Sequence, residues 1–192
     1  MINKKFTTGN ILYGLFMVVI LIMLINPTAK GLLIRGLMNI GLFQPDIPVA
    51  ESKPKANPVN ITFRDSKGQT INTADLRNKV IFVNFWATWC PPCIAEMPSV
   101  NQLYDRFKNN PEVVFIIVDV DNDHNKALTF MQKHNLNLPM YTLAGNVSTE
   151  IMDGTIPTTL VFNKRGQIVY RHTGAADYGN EKFASFISSL CK

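Results

Sequence analysis

The chain has 192 residues, 46% of them hydrophobic, with 19 basic against 14 acidic side chains and a formal net charge of +5. That length holds one ordinary domain with extensions, and the apolar content is enough for a core, although part of it is concentrated at the N-terminus. The positive charges are spread along the chain and form no stripe, so nothing marks a nucleic-acid surface.

Ile11 to Ile25 carries no charge over fifteen residues. At the helical rise this spans about 22 Å, short of a bilayer core of about 30 Å. Extension back to Phe6 makes twenty residues, with Thr7, Thr8, Gly9 and Asn10 tolerable at an interface. Two readings compete. Lys4 and Lys5 followed by an apolar run fit a cleaved signal peptide, but Asn26-Pro27-Thr28-Ala29-Lys30 lacks a clean small-x-small cleavage site. The favoured reading is an uncleaved transmembrane signal anchor over residues 1–29. No cysteine lies nearby, which excludes a lipoprotein anchor. Lys4 and Lys5 on one side balance Lys30 and Arg35 on the other, so the charges do not set the orientation.

Leu32 to Phe43 is apolar again, interrupted by Arg35, Gly36, Asn39 and Gly41, and is too short to span. It reads either as an amphipathic helix lying on the membrane or as an apolar strip packed under the following domain. Gln44 to Pro58, with Pro45, Pro48, Pro54 and Pro58, reads as an extended linker. Residues 30–57 are therefore expected to connect the anchor to a domain over 58–192.

Within that domain Val59 to Arg64 alternates as a short strand, and Ser66-Lys67-Gly68-Gln69 makes a turn. Val80 to Trp86 is almost continuously apolar, as in a strand buried on both faces. A helix is expected from Pro91 to about Lys108, with Pro91 at the first position, where a missing N–H costs nothing, and a kink at Pro98. Val113 to Val120 reads as a strand, Asn125 to His134 as a helix, Leu138 to Leu143 as an added strand and Thr149 to Met152 as a helical turn. Thr158 to Phe162 and Gln167 to His172 form a hairpin across Asn163-Lys164-Arg165-Gly166, and Glu181 to Leu190 closes as an amphipathic helix.

The chemistry concentrates where the apolar strand gives way to the helix, at Trp89-Cys90-Pro91-Pro92-Cys93. Two cysteines at this spacing can pass between dithiol and disulfide within one turn. The helix start offers unpaired N–H groups and the positive end of the macrodipole, which favour a thiolate. A closed zinc site needs four N/S ligands, usually from two half-sites. Here there is one cysteine pair, a distant Cys191 and the scattered His124, His134 and His172, so zinc is not supported. A purely structural disulfide is disfavoured as well, because so short a loop removes little unfolded-state entropy. Asp119-Val120-Asp121-Asn122-Asp123 imitates the start of a calcium loop, but His124 stands where the turn glycine belongs and Phe130 where the final glutamate belongs. It reads as a strand-to-helix loop.

Phe85-Trp86-Ala87-Thr88-Trp89-Cys90-Pro91-Pro92-Cys93, Glu96-Met97-Pro98 and Gly154-Thr155-Ile156-Pro157-Thr158, in that order, resemble the thioredoxin superfamily, and within it the membrane-tethered TlpA/ResA-like thiol–disulfide oxidoreductases. The resemblance covers roughly residues 58 to 190. It implies an α/β, thioredoxin-like fold: a central mixed sheet flanked by helices, with an insertion before Pro157. It further implies a domain on the extracytoplasmic side of a bacterial membrane, reducing disulfides in exported proteins, cytochrome c maturation being one such task, with electrons supplied by an upstream membrane donor and without a cofactor.

Cys90, at the helix N-cap and the more exposed end of the motif, is the candidate nucleophile; Cys93, a turn inside, is the resolving cysteine. Glu96, three residues after Cys93 and on the same helix face, is either a solvated acid at a helix start or a buried carboxylate handling the Cys93 proton. Trp89 is either a surface aromatic or part of the substrate face. The resemblance makes the Ile156–Pro157 bond cis, packs Pro157 on the dithiol and has Ile156 present backbone to an extended substrate. Ordinary thioredoxins hold a buried Asp where this chain has Asn84, which cannot accept a proton, so Glu96 is left as the nearby acid. Peroxiredoxin-type peroxidase chemistry needs Pro-x-x-x-Thr-x-x-Cys, and the residues three before Cys90 and Cys93 are Ala87 and Cys90. A non-enzymatic metal or haem chaperone, binding through Cys90 and Cys93, is the remaining alternative. Cys191 reads as a spare thiol.

Overall fold

The computed structural model describes residues 8–45, 58–149 and 151–192. Its central strand β3 (Val80–Trp86) is buried at all seven positions. β-Branched and aromatic side chains fill both of its faces, which suits a strand in mid-sheet. It pairs in parallel with β4 (Val113–Asp119) and antiparallel with β6 (Thr158–Phe162), which continues into β7 (Ile168–Thr173). β5 (Met140–Leu143) runs parallel to β4, and β1 (Thr62–Asp65) and β2 (Thr70–Asn72) extend the sheet antiparallel beyond it. The described strands thus form one mixed sheet in the order β2-β1-β5-β4-β3-β6-β7. β2 was not expected from the sequence. It is three residues long, and its pairing depends on Asp65, whose carboxylate accepts from the N–H groups of Lys67 and Gln69 to close the turn.

Side chains alternate across a strand, so Val80, Phe82 and Trp86 share one face and Ile81, Val83 and Phe85 the other. Helices α3 (Pro91–Phe107), α4 (His124–Lys133) and α5 (Glu181–Leu190) all contribute to the first of these clusters. Met97, Val100, Leu103 and Phe107 form the stripe by which α3 joins it. Phe82 lies at the centre, with ring centroids 5.1 Å from Phe115, 5.5 Å from Tyr178 and 6.2 Å from Phe183. The opposite cluster is covered by residues outside the helices, among them Leu76, Val147, Ile151 and Met152. α3 runs through Pro98 as one element, and the Ser99 hydroxyl donates to the Glu96 carbonyl beside it at 2.7 Å.

The N-terminal region differs from the sequence reading. α1 (Thr8–Ile25) is an unbroken apolar helix, 18 residues long with mean hydropathy 2.3 and no buried residue. A second helix, α2 (Pro27–Asn39), follows at once and starts five residues before the expected Leu32. The Asn26 side chain accepts from the N–H groups of Thr28 and Ala29, and Pro27 occupies the first helical position, so the residues read as a poor cleavage site are a helix start. The other end is a Schellman motif: Gly41, at φ 89°, donates to Met38 O, and Leu42 donates to Leu37 O. One face of α2 packs under the domain. Met38 and Ile34 meet Ala95 of α3 and Ala175, and a Cβ on Gly31 would stand 3.0 Å from Ile94 Cγ2 and 3.1 Å from the Pro91 carbonyl oxygen. Of the expected linker, residues 46–57 lie outside the described residues.

Phe82→Ala empties the centre of the α3-side cluster and should cost about 3–5 kcal/mol of stability, read as the shift in a denaturant unfolding curve followed by circular dichroism.

Candidate active site

Cys90 stands in extended conformation as the N-cap of α3, with Pro91 at the first helical position. Cys90 and Cys93 are joined by a disulfide, their Cα atoms 5.2 Å apart. The Cys93 N–H donates to Cys90 Sγ at 3.3 Å, so one of the unpaired amides of the helix start already points at the outer sulfur. Cys90 is less accessible than expected, at 3% exposure against 0% for Cys93. Ile156 contributes to that cover: its carbonyl oxygen lies 3.9 Å from Cys90 Sγ. The Ile156–Pro157 bond is cis, Pro157 is buried and Ile156 half-buried.

Glu96 is fully buried. Its side chain is held from two directions. Asn84 Nδ2 donates to Oε1 at 2.7 Å, and the Ala176 N–H donates to Oε2 at 3.2 Å. The strand alternation that puts Phe82 and Trp86 on the α3 side puts Asn84 there too. Asn84 Nδ2 also donates to Thr159 Oγ1 at 2.9 Å, directly across the β3–β6 register. Burial pushes the Glu96 carboxyl up from its ordinary value of 4.5 to about 8, and the donors Asn84 and Ala176 hold it back only in part. Tyr178, also buried, is driven well above the usual phenol range, first by burial and then by the Glu96 charge. The solvated-acid reading of Glu96 is therefore not what the structure shows. At neutral pH this residue is a mostly protonated carboxylic acid one helical turn beyond Cys93.

Trp89 is 53% exposed, and its indole N–H donates to Asp121 Oδ2 at 2.7 Å. The loop carrying Asp121 is itself fixed: Asp119 accepts from the N–H groups of Asp121 and Asp123, and Asp123 caps α4 through the Lys126 N–H. The carboxylates of the calcium-like stretch are thus engaged with backbone and indole N–H groups. Trp86 is fully buried, 5.1 Å from Phe130. Cys191 ends α5, with its thiol donating to the Ile187 carbonyl and burial raising its pKa. Sequence reasoning missed Thr159, Ala176 and Asp121. Each acts across a long sequence separation on a residue that was identified, and none carries a local signature of that partnership.

The perturbed acid has a consequence for stability. An unfolded chain releases the Glu96 proton near 4.5, whereas the folded chain keeps it until about 8. Between those values only the folded state holds the proton, so stability is greatest below 4.5, falls as pH rises, and reaches its lower level above 8. The loss amounts to at most about 5 kcal/mol. Glu96→Gln should flatten this dependence, measured by denaturant melts of the oxidised protein across the same pH range.

Residues 51–186 match the redoxin family. The thiol-disulfide oxidoreductase ResA of Halalkalibacterium halodurans is 35% identical over 117 residues, and that of Bacillus subtilis 31% over 119. These matches cover 60% of this chain and 66% and 64% of the two relatives, so just under two thirds of their length is spanned. Among solved structures, the thioredoxin domain of a Bacteroides vulgatus thiol-disulfide oxidoreductase superposes with a TM-score of 0.58 at 17% identity, covering 73% of this chain and 99% of its own. StoA from Bacillus subtilis does so at 0.51 and 22%, covering 71% and 99%. At such identities the superpositions bear on the fold, which is thioredoxin-like. The chain belongs to the redoxin family, as a ResA-like member of the thioredoxin superfamily.

Proposed function

We propose that this chain is a membrane-anchored thiol–disulfide oxidoreductase that reduces disulfides in exported proteins, with Cys90 as nucleophile, Cys93 as resolving thiol and Glu96 as the acid and base for the Cys93 sulfur. The observation that carries this reading is the Cys90–Cys93 disulfide at the start of α3, with a buried acid whose pKa stands at about 8 one helical turn after Cys93.

In the reduced protein the Cys90 thiolate attacks a substrate disulfide, forming a mixed disulfide and releasing one substrate thiolate. Cys93 gives its proton to the Glu96 carboxylate and attacks Cys90 Sγ. That closes the intramolecular disulfide and releases the second substrate sulfur. The oxidised protein then holds a protonated Glu96, the state favoured by burial. When a donor dithiol attacks Cys90, Cys93 leaves as a thiolate and recovers its proton from Glu96; the donor's second thiolate then closes the donor disulfide and releases Cys90 as the thiolate that begins the next turn. A carboxyl whose pKa stands at about 8 can both take up and return a proton near neutral pH. Asn84, which cannot ionise, orients the acid and does not compete for its proton.

The residues around the dithiol supply a docking face. Trp89 is its exposed aromatic, and Ile156 and Pro157 form the edge against which an extended substrate segment lies. α1 is long and apolar enough to span a membrane, which supports the division into an anchor over 1–29, a connecting region over 30–57 and a redox domain over 58–192. The ResA-like resemblance favours the extracytoplasmic face of a bacterial membrane for that domain. It also suggests an upstream membrane protein as electron donor and cysteines of apocytochrome c, before haem attachment, among the substrates.

Cys90→Ser should abolish reduction of a protein disulfide such as insulin, while Cys93→Ser should accumulate a mixed disulfide visible on a non-reducing gel. The opposite assignment of phenotypes would reverse the two roles. Glu96→Gln should slow turnover by about a hundredfold or more, as usual for the loss of an acid–base group, and remove the inflection near pH 8 from the rate profile. Superimposable profiles would remove Glu96 from the chemistry.

A further inference from the structure

α2 has two unlike faces. The inner one, Gly31, Ile34 and Met38, is seated on α3 and Ala175. On the outer one Leu32, Leu33, Leu37 and Ile40 are exposed, an apolar stripe at helical spacing. Lys30 and Arg35, also exposed, add positive charge to this helix. Only Asn26 separates α2 from the end of α1. Moreover, the last turns of α1 do not stand clear of the redox motif. Met23 and Leu24 of α1, Leu33 and Ile34 of α2, and Pro91 and Pro92 line a single apolar groove of about 590 Å³. Met23 lies two residues before the end of α1, which is about 3 Å along the helix axis. The dipeptide between the two cysteines is therefore level with the final turn of the helix read as the anchor.

From these placements we infer that α2 is a two-faced wedge that holds the redox domain flat on the bilayer, its outer leucines in the lipid interface and the Pro91–Pro92 edge of the dithiol at the membrane surface. The inference rests on α1 being the anchor, as proposed above. The occupant of the exposed face is lipid because that face continues directly from the apolar surface of α1, and because Lys30, beside Leu33 where α1 ends, suits anionic headgroups. Gly31 is the contact that permits it. Because Gly31 has no Cβ to meet Ile94 and the Pro91 carbonyl oxygen, α2 can approach the start of α3 closely enough to fix the height of the dithiol. Disulfides presented at the bilayer surface would be favoured over those of freely diffusing proteins.

The test uses the 192-residue chain in vesicles of phosphatidylcholine and phosphatidylglycerol that contain a lipid with a photoreactive acyl chain, the adducts being mapped by mass spectrometry. Adducts are expected on α1, on the Leu32–Ile40 face and on the peptide carrying Pro91 and Pro92. Gly31→Leu should reduce the Pro91–Pro92 adducts at least tenfold while those on α1 persist. Adducts confined to α1, cross-links between two copies through the α2 face, or Pro91–Pro92 labelling unchanged in Gly31→Leu would each overturn the wedge and leave the anchor intact. No adducts on α1, with the protein absent from floated vesicles, would overturn the anchor itself and the wedge with it. Insulin reduction by the same preparation reports separately on the dithiol chemistry.

Discussion

The packing of α3 on β3 is the constraint on which the site depends. Met97, Val100 and Leu103 give the helix one buried stripe, and Phe82 and Trp86 give the strand a matching face. Once that contact forms, the connection between strand and helix has no freedom left. Cys90 must cap, Cys93 must lie inside, and Glu96 must point back at the strand where Asn84 waits. The acid is desolvated as a by-product of hydrophobic packing, so the same burial that stabilises the domain raises the proton affinity of the group proposed to serve the redox chemistry.

Burying such a group would be costly if it were left alone. Asn84 and the Ala176 amide each supply a donor, and because neither is charged they satisfy the carboxyl without forcing it to ionise. A lysine or arginine at position 84 would instead have stabilised the carboxylate and brought the pKa down. The choice of a neutral amide opposite the acid is thus as consequential as the acid itself. Thr159, across the register from Asn84, takes the second amide hydrogen and ties the arrangement to β6, the strand that follows Pro157.

Much of this was legible in the amino-acid order. β3 and α5 fall at the residues expected, because a continuous apolar strand and a strongly amphipathic helix leave little choice of period. The cysteine pair, the buried acid and the cis proline were each marked by a local motif. What was not legible is non-local. The sequence identifies Asn84 as a residue that cannot take a proton, but only the register shows it donating to Glu96. Cys90 was expected at the exposed end of its motif, yet it is nearly as buried as Cys93, with the carbonyl of Ile156, 66 positions away, beside it. The start of α2 is a local signal that another pattern conceals: Asn26-Pro27, at the point where a signal peptidase would cut, also makes a helix cap.

Trp89 illustrates how a fixed loop shapes recognition. An exposed indole ordinarily samples several rotamers, and a partner that covers it must freeze one of them, at roughly 0.5–1.5 kcal/mol for a mobile side chain. Here Asp121 holds the indole nitrogen, and Asp121 is in turn set by a loop that Asp119 has wound onto its own backbone amides. The ring is ordered before any partner arrives. In the docking role proposed for Trp89, a protein surface settling on it gains the apolar contact without that entropic loss, so even a small and short-lived encounter can be specific.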